Sequence, residues 1–159
     1  DYLTTMARLF LGLGSNLGAR EQLLKKAIEM IEGRLGPIKA QSAFYETEAW
    51  GFQSEHTFLN ACVLVETSLP ARECLQQTQL IEKELGRSHK TENGLYQDRT
   101  IDIDILFYDN EIIDDVDLKV PHPLMHLRRF VMEPLVEIAA DFQHPILHKT
   151  CEQILNSLT

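Results

Sequence analysis

The alternation Ile101-Asp102-Ile103-Asp104-Ile105 constrains this chain more than any other stretch of its length. Successive side chains of a β-strand point to opposite faces, so in a strand the isoleucines share one face and the aspartates the other. A helix would scatter them around its axis. The segment therefore predicts a strand over 101–108, with its apolar face on a core. The two carboxylates then share the other face, their Cα atoms roughly 6.5–7 Å apart. Like charges that close are unfavourable unless something cationic joins them. Mg²⁺ suits the pair, because it takes oxygen ligands, keeps several waters and completes its shell with substrate phosphates. A second ion between the carboxylates fits a two-metal arrangement. Two other readings stay open: a solvated acidic face, and neutralisation by Arg99, which could equally bind phosphate.

Around this strand the pattern is mixed α and β. An apolar run at 9–14 ends in glycines and reads as a buried strand, followed by turn chemistry in Ser15-Asn16-Leu17-Gly18. Residues 19–32 show helical spacing, stopped by Gly33 and Gly36-Pro37. Strands are expected over 38–47 and 58–67, and a helix over 71–85 with Gly86 as its stop. A weaker β segment covers 111–120, and 130–139 and 151–158 read as helices. The order β-α-β-β-α-β suggests an α+β, ferredoxin-like sandwich with additional C-terminal β and α elements. Its 159 residues suit one domain, with a core over about 8–157 and the first seven residues as a short leader. Met6 is a candidate native start.

Charge narrows the function. The 15 Lys and Arg are outnumbered by 24 Asp and Glu, for a formal net charge of −9. That argues against a nucleic-acid-coating protein, whose affinity rests on neutralising phosphates. It leaves room for a small phosphate ligand in a cleft with local arginines. The three cysteines lack CxxC spacing and read as buried, reduced thiols of a cytoplasmic protein. No stretch approaches the ~20 apolar residues of a membrane span. A monomer is expected.

Other features carry weaker signals. Gly12, Gly14 and Gly18 match neither a dinucleotide fingerprint nor a P-loop, and read first as a tight turn permitting close approach by a flat ligand or a neighbouring segment. Residues 87–98 have no hydrophobic period and are long for a connection, which suggests a functional loop or an ordinary solvated one. Its Arg87, His89 and Lys90, with Arg99 and Arg128-Arg129, could offset a triphosphate. Pro123 disfavours a helical metal pair of His122 and His126, and Pro145 does the same for His144 and His148.

Taken in order, several segments resemble the 6-hydroxymethyl-7,8-dihydropterin pyrophosphokinase family of folate biosynthesis. They are Leu11-Gly12-Leu13-Gly14-Ser15-Asn16-Leu17-Gly18, Phe44-Tyr45-Glu46-Thr47, Phe58-Leu59-Asn60-Ala61 and Gln79-x-x-Glu82-x-x-x-Gly86-Arg87. Arg99 through Leu106, Val120-Pro121-His122-Pro123 and Arg128-x-Phe130-Val131-x-x-Pro134-Leu135 continue the series. The resemblance implies transfer of a pyrophosphoryl group from ATP to a pterin hydroxymethyl oxygen, leaving AMP. It implies Mg²⁺, as two ions with ATP, on Asp102 and Asp104, with Arg87 and Arg99 on the phosphates. Leu75, Gln79, Glu82, His89, Ile105, Lys119, His122 and Arg128 would be nucleotide contacts. Thr47 and Asn60 would meet the polar edge of the pterin, with Phe58 and Phe130 enclosing the ring and Trp50 covering it.

The chain departs from the family pattern at Glu48-Ala49-Trp50, where some members carry prolines, and at His89, where a second arginine is common. Tyr96 is the aromatic candidate for closing the later part of the loop. The rival reading is a non-catalytic ligand-sensing module, since the fold alone does not fix function. It predicts small-molecule binding without Mg²⁺ dependence or nucleotide turnover.

Overall fold

The computed structural model describes residues 5–16, 20–47, 58–87 and 101–158, with the Arg87 side chain outside that set. The alternating Ile/Asp segment is β5 (Ile101–Tyr108), at the edge of an antiparallel sheet. Beside it runs β1 (Ala7–Ser15), and beyond β1 lies β4 (Phe58–Thr67). Two short strands, β2 (Ile38–Gln41) and β3 (Tyr45–Thr47), pair with successive parts of β4, so the order is β2-β4-β1-β5 with β3 also on β4.

The single strand expected over 38–47 is thus two. Ser42 interrupts it: its N–H donates to the Cys62 carbonyl at 2.9 Å, while its Oγ accepts the Cys62 N–H at 2.9 Å. A side-chain oxygen has replaced a ladder carbonyl, and the chain turns there.

Two helices, α1 (Arg20–Arg34) and α2 (Ala71–Arg87), cover one face of the sheet. Leu24, Ala27 and Ile31 of α1 and Cys74 and Ile81 of α2 pack with Leu9, Leu11, Leu13, Val63, Val65, Ile101, Ile103 and Ile105. The isoleucines therefore enter the core as their spacing requires. Both helices run past the glycines expected to stop them, since Gly33 and Gly86 lie within their last turns. A glycine costs a helix only about 1 kcal/mol, which burial of a whole apolar face outweighs. Gly36 is different: its φ is +146°, and a Cβ there would lie 2.0 Å from the Glu66 carbonyl oxygen.

The other face carries α3 (Arg129–Ala139) and α4 (Cys151–Ser157), packed on Phe10, Cys62, Leu106 and Phe107 through Met132, Leu135 and Ile154. A register shift at Phe10/Leu11 allows Leu106 and Phe107 both to join this layer. A hairpin of β6 (Ile113–Asp114) and β7 (Lys119–Val120) is tied to α2 by Arg72, bonded to Asp115 at 2.6 Å and Asp117 at 2.7 Å. It leads into Pro121-His122. Among the described residues no helix is long and apolar enough to cross a membrane.

Candidate active site

Strand register builds the site. Gly14 stands opposite Asn60 of β4 on one side and Asp102 of β5 on the other; Gly12 stands likewise between Cys62 and Asp104. Each row spans two inter-strand spacings, about 9–10 Å, with a glycine as its floor. Side chains of Asn60, Asp102 and Asp104 line a cavity of about 200 Å³ over these glycines, with Thr47, Phe58, Arg128, Phe130 and Val131. A Cβ on Gly14 would lie 3.0 Å from Asn60 Oδ1, so a side chain there would press on the amide. The glycines serve close approach, one of the readings their spacing allowed.

One end of the cavity is amide and hydroxyl. Asn60 Nδ2 donates to Thr47 Oγ1 at 2.8 Å, leaving the amide oxygen as an acceptor, and Thr47 is held opposite Phe58 by the β3–β4 pairing. Phe58 from β4 and Phe130 from the first turn of α3 supply aromatic surface. The Arg128 guanidinium stands 5.7 Å from the Phe130 ring centre and lines the same cavity as the two acids.

The other end is acidic. Among the described residues neither Asp102 nor Asp104 forms an ion pair. The Asp102 tip reaches solvent, yet the surrounding protein, and then the Asp104 charge, push its pKa up. Glu82 of α2 adds a third carboxyl group at the outer edge of β5, where its Oε2 accepts the Ile103 N–H at 2.7 Å. Burial raises Glu82 to about 7 against that hydrogen bond, with Asp102 and Asp104 adding to the rise. His122 is lowered mainly by burial and further by Arg128, while Asp104 pulls the other way. Its Nδ1 accepts the Leu124 N–H at 3.2 Å, so the neutral ring carries its proton on Nε2.

The donor set fits Mg²⁺. Two carboxylates share one strand face with no ion-pair partner among the described residues, and all the donors are oxygens. Among the described residues no group of three or more His, Cys, Asp or Glu side chains could hold a metal, so this is not a closed protein cage. An ion here would need water and ligand oxygens for the rest of its shell.

The model of the 7,8-dihydro-6-hydroxymethylpterin-pyrophosphokinase (HPPK) family matches residues 10–140. The chain belongs to the HPPK family. It is 48% identical over 141 residues to 2-amino-4-hydroxy-6-hydroxymethyldihydropteridine pyrophosphokinase of Porphyromonas gingivalis, across 88% of this chain and 95% of that protein. To the Aquifex aeolicus enzyme of the same name it is 43% identical over 148 residues, covering 93% and 90%. The HPPK-DHPS protein of Plasmodium falciparum shares the fold, with a TM-score of 0.79 at 16% identity over 98% of this chain. A second HPPK-DHPS structure, in complex with substrates, gives 0.74 at 17% over 96%. The chain spans 46% and 43% of those two longer chains.

Of the residues expected at an HPPK site, Thr47, Phe58, Asn60, Asp102, Asp104, Arg128 and Phe130 meet in the one cavity, and Glu82 and His122 flank it electrostatically. Four others stand apart from the cavity lining. Leu75 packs against the core, and Gln79 is exposed on α2. Lys119 pairs with Asp114 at 2.6 Å on the hairpin. The Ile105 side chain is buried beneath the sheet, which leaves only its main chain for a ligand. Trp50, His89, Tyr96, Arg99 and the Arg87 side chain lie outside the described residues.

Cys62, Leu106 and Val131 also line the cavity, though the sequence reading gives them no ligand role. Cys62 is a buried thiol, as the sequence reading predicts, and is free like Cys74 and Cys151. Burial pushes all three thiols up, which keeps them protonated.

Proposed function

We propose that this chain transfers the pyrophosphoryl group of ATP to 6-hydroxymethyl-7,8-dihydropterin, giving the pterin diphosphate and AMP, as a step of folate biosynthesis. Family membership is one support. The observation that carries the reading within the site is the cross-sheet row Asn60–Gly14–Asp102, with a hydrogen-bonding end, a flat floor and an acidic end. A flat heterocycle over Gly14 would meet Asn60 and Thr47 with its polar edge and lie against Phe58 and Phe130. Its hydroxymethyl group would then face the aspartates.

In the reaction the hydroxymethyl oxygen attacks the β-phosphorus of ATP. The bond from that phosphorus to the α–β bridging oxygen breaks, AMP leaves, and the hydroxyl proton passes to solvent. Chemistry of this kind asks mostly for positioning and charge neutralisation. Asp102 and Asp104 would hold Mg²⁺, as two ions with ATP, and the metal would neutralise the triphosphate. Arg128 adds a cation, joined by Arg87 and Arg99 in our reading. Neutral His122 offers its Nε2–H to a phosphate or ribose oxygen. Glu82 holds the edge of β5, and with it the aspartate pair, in place. We assign Leu75, Gln79, His89, Lys119 and the Ile105 main chain to the nucleotide side, and Trp50 to the pterin.

We also read the core as ferredoxin-like, which the order β2-β4-β1-β5 supports. The protonated thiols suit a cytoplasmic setting. Incubation with ATP, Mg²⁺ and the hydroxymethyl dihydropterin tests the function. AMP appearing mole for mole with pterin diphosphate supports it, and ADP as the nucleotide product overturns it.

A further inference from the structure

The pterin end of the cavity depends on β3, a strand of three residues that among the described residues pairs only with β4. So short an edge strand has little holding power of its own. The segment leading into it is nonetheless fastened at two places. Ser42 bonds to both the N–H and the carbonyl of Cys62, as described above. On the other side stands Glu137, near the end of α3. Its carboxylate oxygens accept the Ala43 N–H at 3.1 and 3.2 Å, and Oε1 also accepts the Tyr45 hydroxyl at 2.6 Å.

Periodicity links this clasp to the cavity. Glu137 follows Phe130 by seven residues, two turns of helix, so both project from the same side of α3. Tyr45 precedes Thr47 by two residues, so both project from the same face of β3. The same helix side and strand face therefore come together at the Glu137–Tyr45 bond and again where Phe130 and Thr47 line one cavity. Phe130 and Thr47 line both this cavity and an adjoining groove.

We propose that Glu137 is a positioning residue for pterin binding: by clasping Ala43 and Tyr45 it sets β3 against α3, and so sets Thr47 and Asn60 against Phe130. The proposal rests on reading the Thr47–Asn60 end as the heterocycle pocket. The Tyr45 proton is held firmly for this role. Its hydroxyl is pushed up to about 12, first by the bond to Glu137, then by desolvation, with the Glu137 and Glu133 charges in the same direction. The Tyr45 hydroxyl therefore keeps its proton, and stays a donor to Glu137, across the working pH range. Charge-assisted bonds of this type are about twice as strong as neutral ones.

The test is steady-state kinetics on the full chain with pterin and ATP varied separately, for Glu137→Ala, Glu137→Gln, Tyr45→Phe and the Ala/Phe double variant. Asn60→Ala serves as the control for the pocket. Glu137→Ala is expected to raise the pterin KM on the order of fivefold, leaving the ATP KM within about twofold. Glu137→Gln should recover most of the loss, since its amide oxygen still accepts both donors. The double variant should be no worse than Glu137→Ala, because both changes break one clasp. Tyr45→Phe keeps the ring, so it reports on the bond even if Glu137→Ala folds poorly. Equal rises in both KM values, or lower thermal stability with both unchanged, overturn the proposal and leave Glu137 a structural residue. An unchanged pterin KM in Glu137→Ala, with a raised one in Asn60→Ala, overturns the clasp alone. An unchanged pterin KM in both overturns the pocket reading and the clasp with it.

Discussion

Replacing Glu82 by Gln is expected to stabilise the ligand-free protein at neutral and alkaline pH, and the gain follows from the site. Glu82 lies against the edge of β5, where burial and then the Asp102 and Asp104 charges raise its pKa from 4.5 to about 7, against the pull of the Ile103 hydrogen bond. In the unfolded chain it loses its proton near its ordinary pKa; in the native state it keeps it until about pH 7. Its contribution to stability is therefore intact below pH 4.5 and is lost as pH rises from 4.5 through 7. At about 1.4 kcal/mol per pH unit the full shift sets a ceiling of roughly 3 kcal/mol, and solvent screening of this half-buried carboxylate brings the loss to about 1–2 kcal/mol once Glu82 is ionised. Glutamine has no charge to form, and its amide oxygen can still accept the Ile103 N–H. Urea unfolding of both proteins in Mg²⁺-free, nucleotide-free buffer, at steps from pH 4.5 to 8.5, measures the difference. The gap should open across that window in favour of the variant and level off above it. Parallel stability curves would refute the reasoning. Adding Mg²⁺ with a non-hydrolysable ATP analogue should narrow the gap, because cations beside the aspartates favour ionised Glu82.

Asp102→Asn and Asp104→Asn should each lower turnover by about a thousandfold or more while the protein stays folded. Asp102→Asn should melt no lower than wild type without metal, since burial and Asp104 already oppose its charge; near-normal kcat in both variants would remove the ligand assignment. Gly14→Ala places a methyl 3.0 Å from Asn60 Oδ1 and should raise the pterin KM on the order of tenfold, with a smaller effect on ATP, as steady-state kinetics would read. Gly36→Ala, at φ +146° and 2.0 Å from a carbonyl oxygen, should cost roughly 3 kcal/mol or more in urea unfolding, with the unfolding slope unchanged.

What the sequence shows best is local periodicity. The alternation at 101–105 predicts β5 and sends its isoleucines into the core and its acids outward, because a strand has only two faces. The same rule limits Ile105 to a main-chain role, although the family resemblance names it as a ligand contact. Amphipathic spacing likewise reveals α1 and α2. Their ends were less legible, since whole-helix burial overrides single glycines at 33 and 86. The break at Ser42 could not be read, because it depends on a hydroxyl reaching Cys62 twenty residues on. Register is the larger blind spot. Nothing local in Asn60, Gly14 or Asp102 says that they form one row, and Glu137 meets Tyr45 across 92 residues. The resemblance gathered most cavity residues by family pattern; the structure supplies the spacing between the amide end and the acidic end.

The most direct test is to follow the β-phosphate. ATP labelled at that position is incubated with the protein, Mg²⁺ and 6-hydroxymethyl-7,8-dihydropterin, and nucleotide and pterin fractions are separated. The proposed mechanism predicts that the label moves to the pterin and that the remaining nucleotide is unlabelled AMP. Label retained in ADP, with a pterin monophosphate as product, would contradict it.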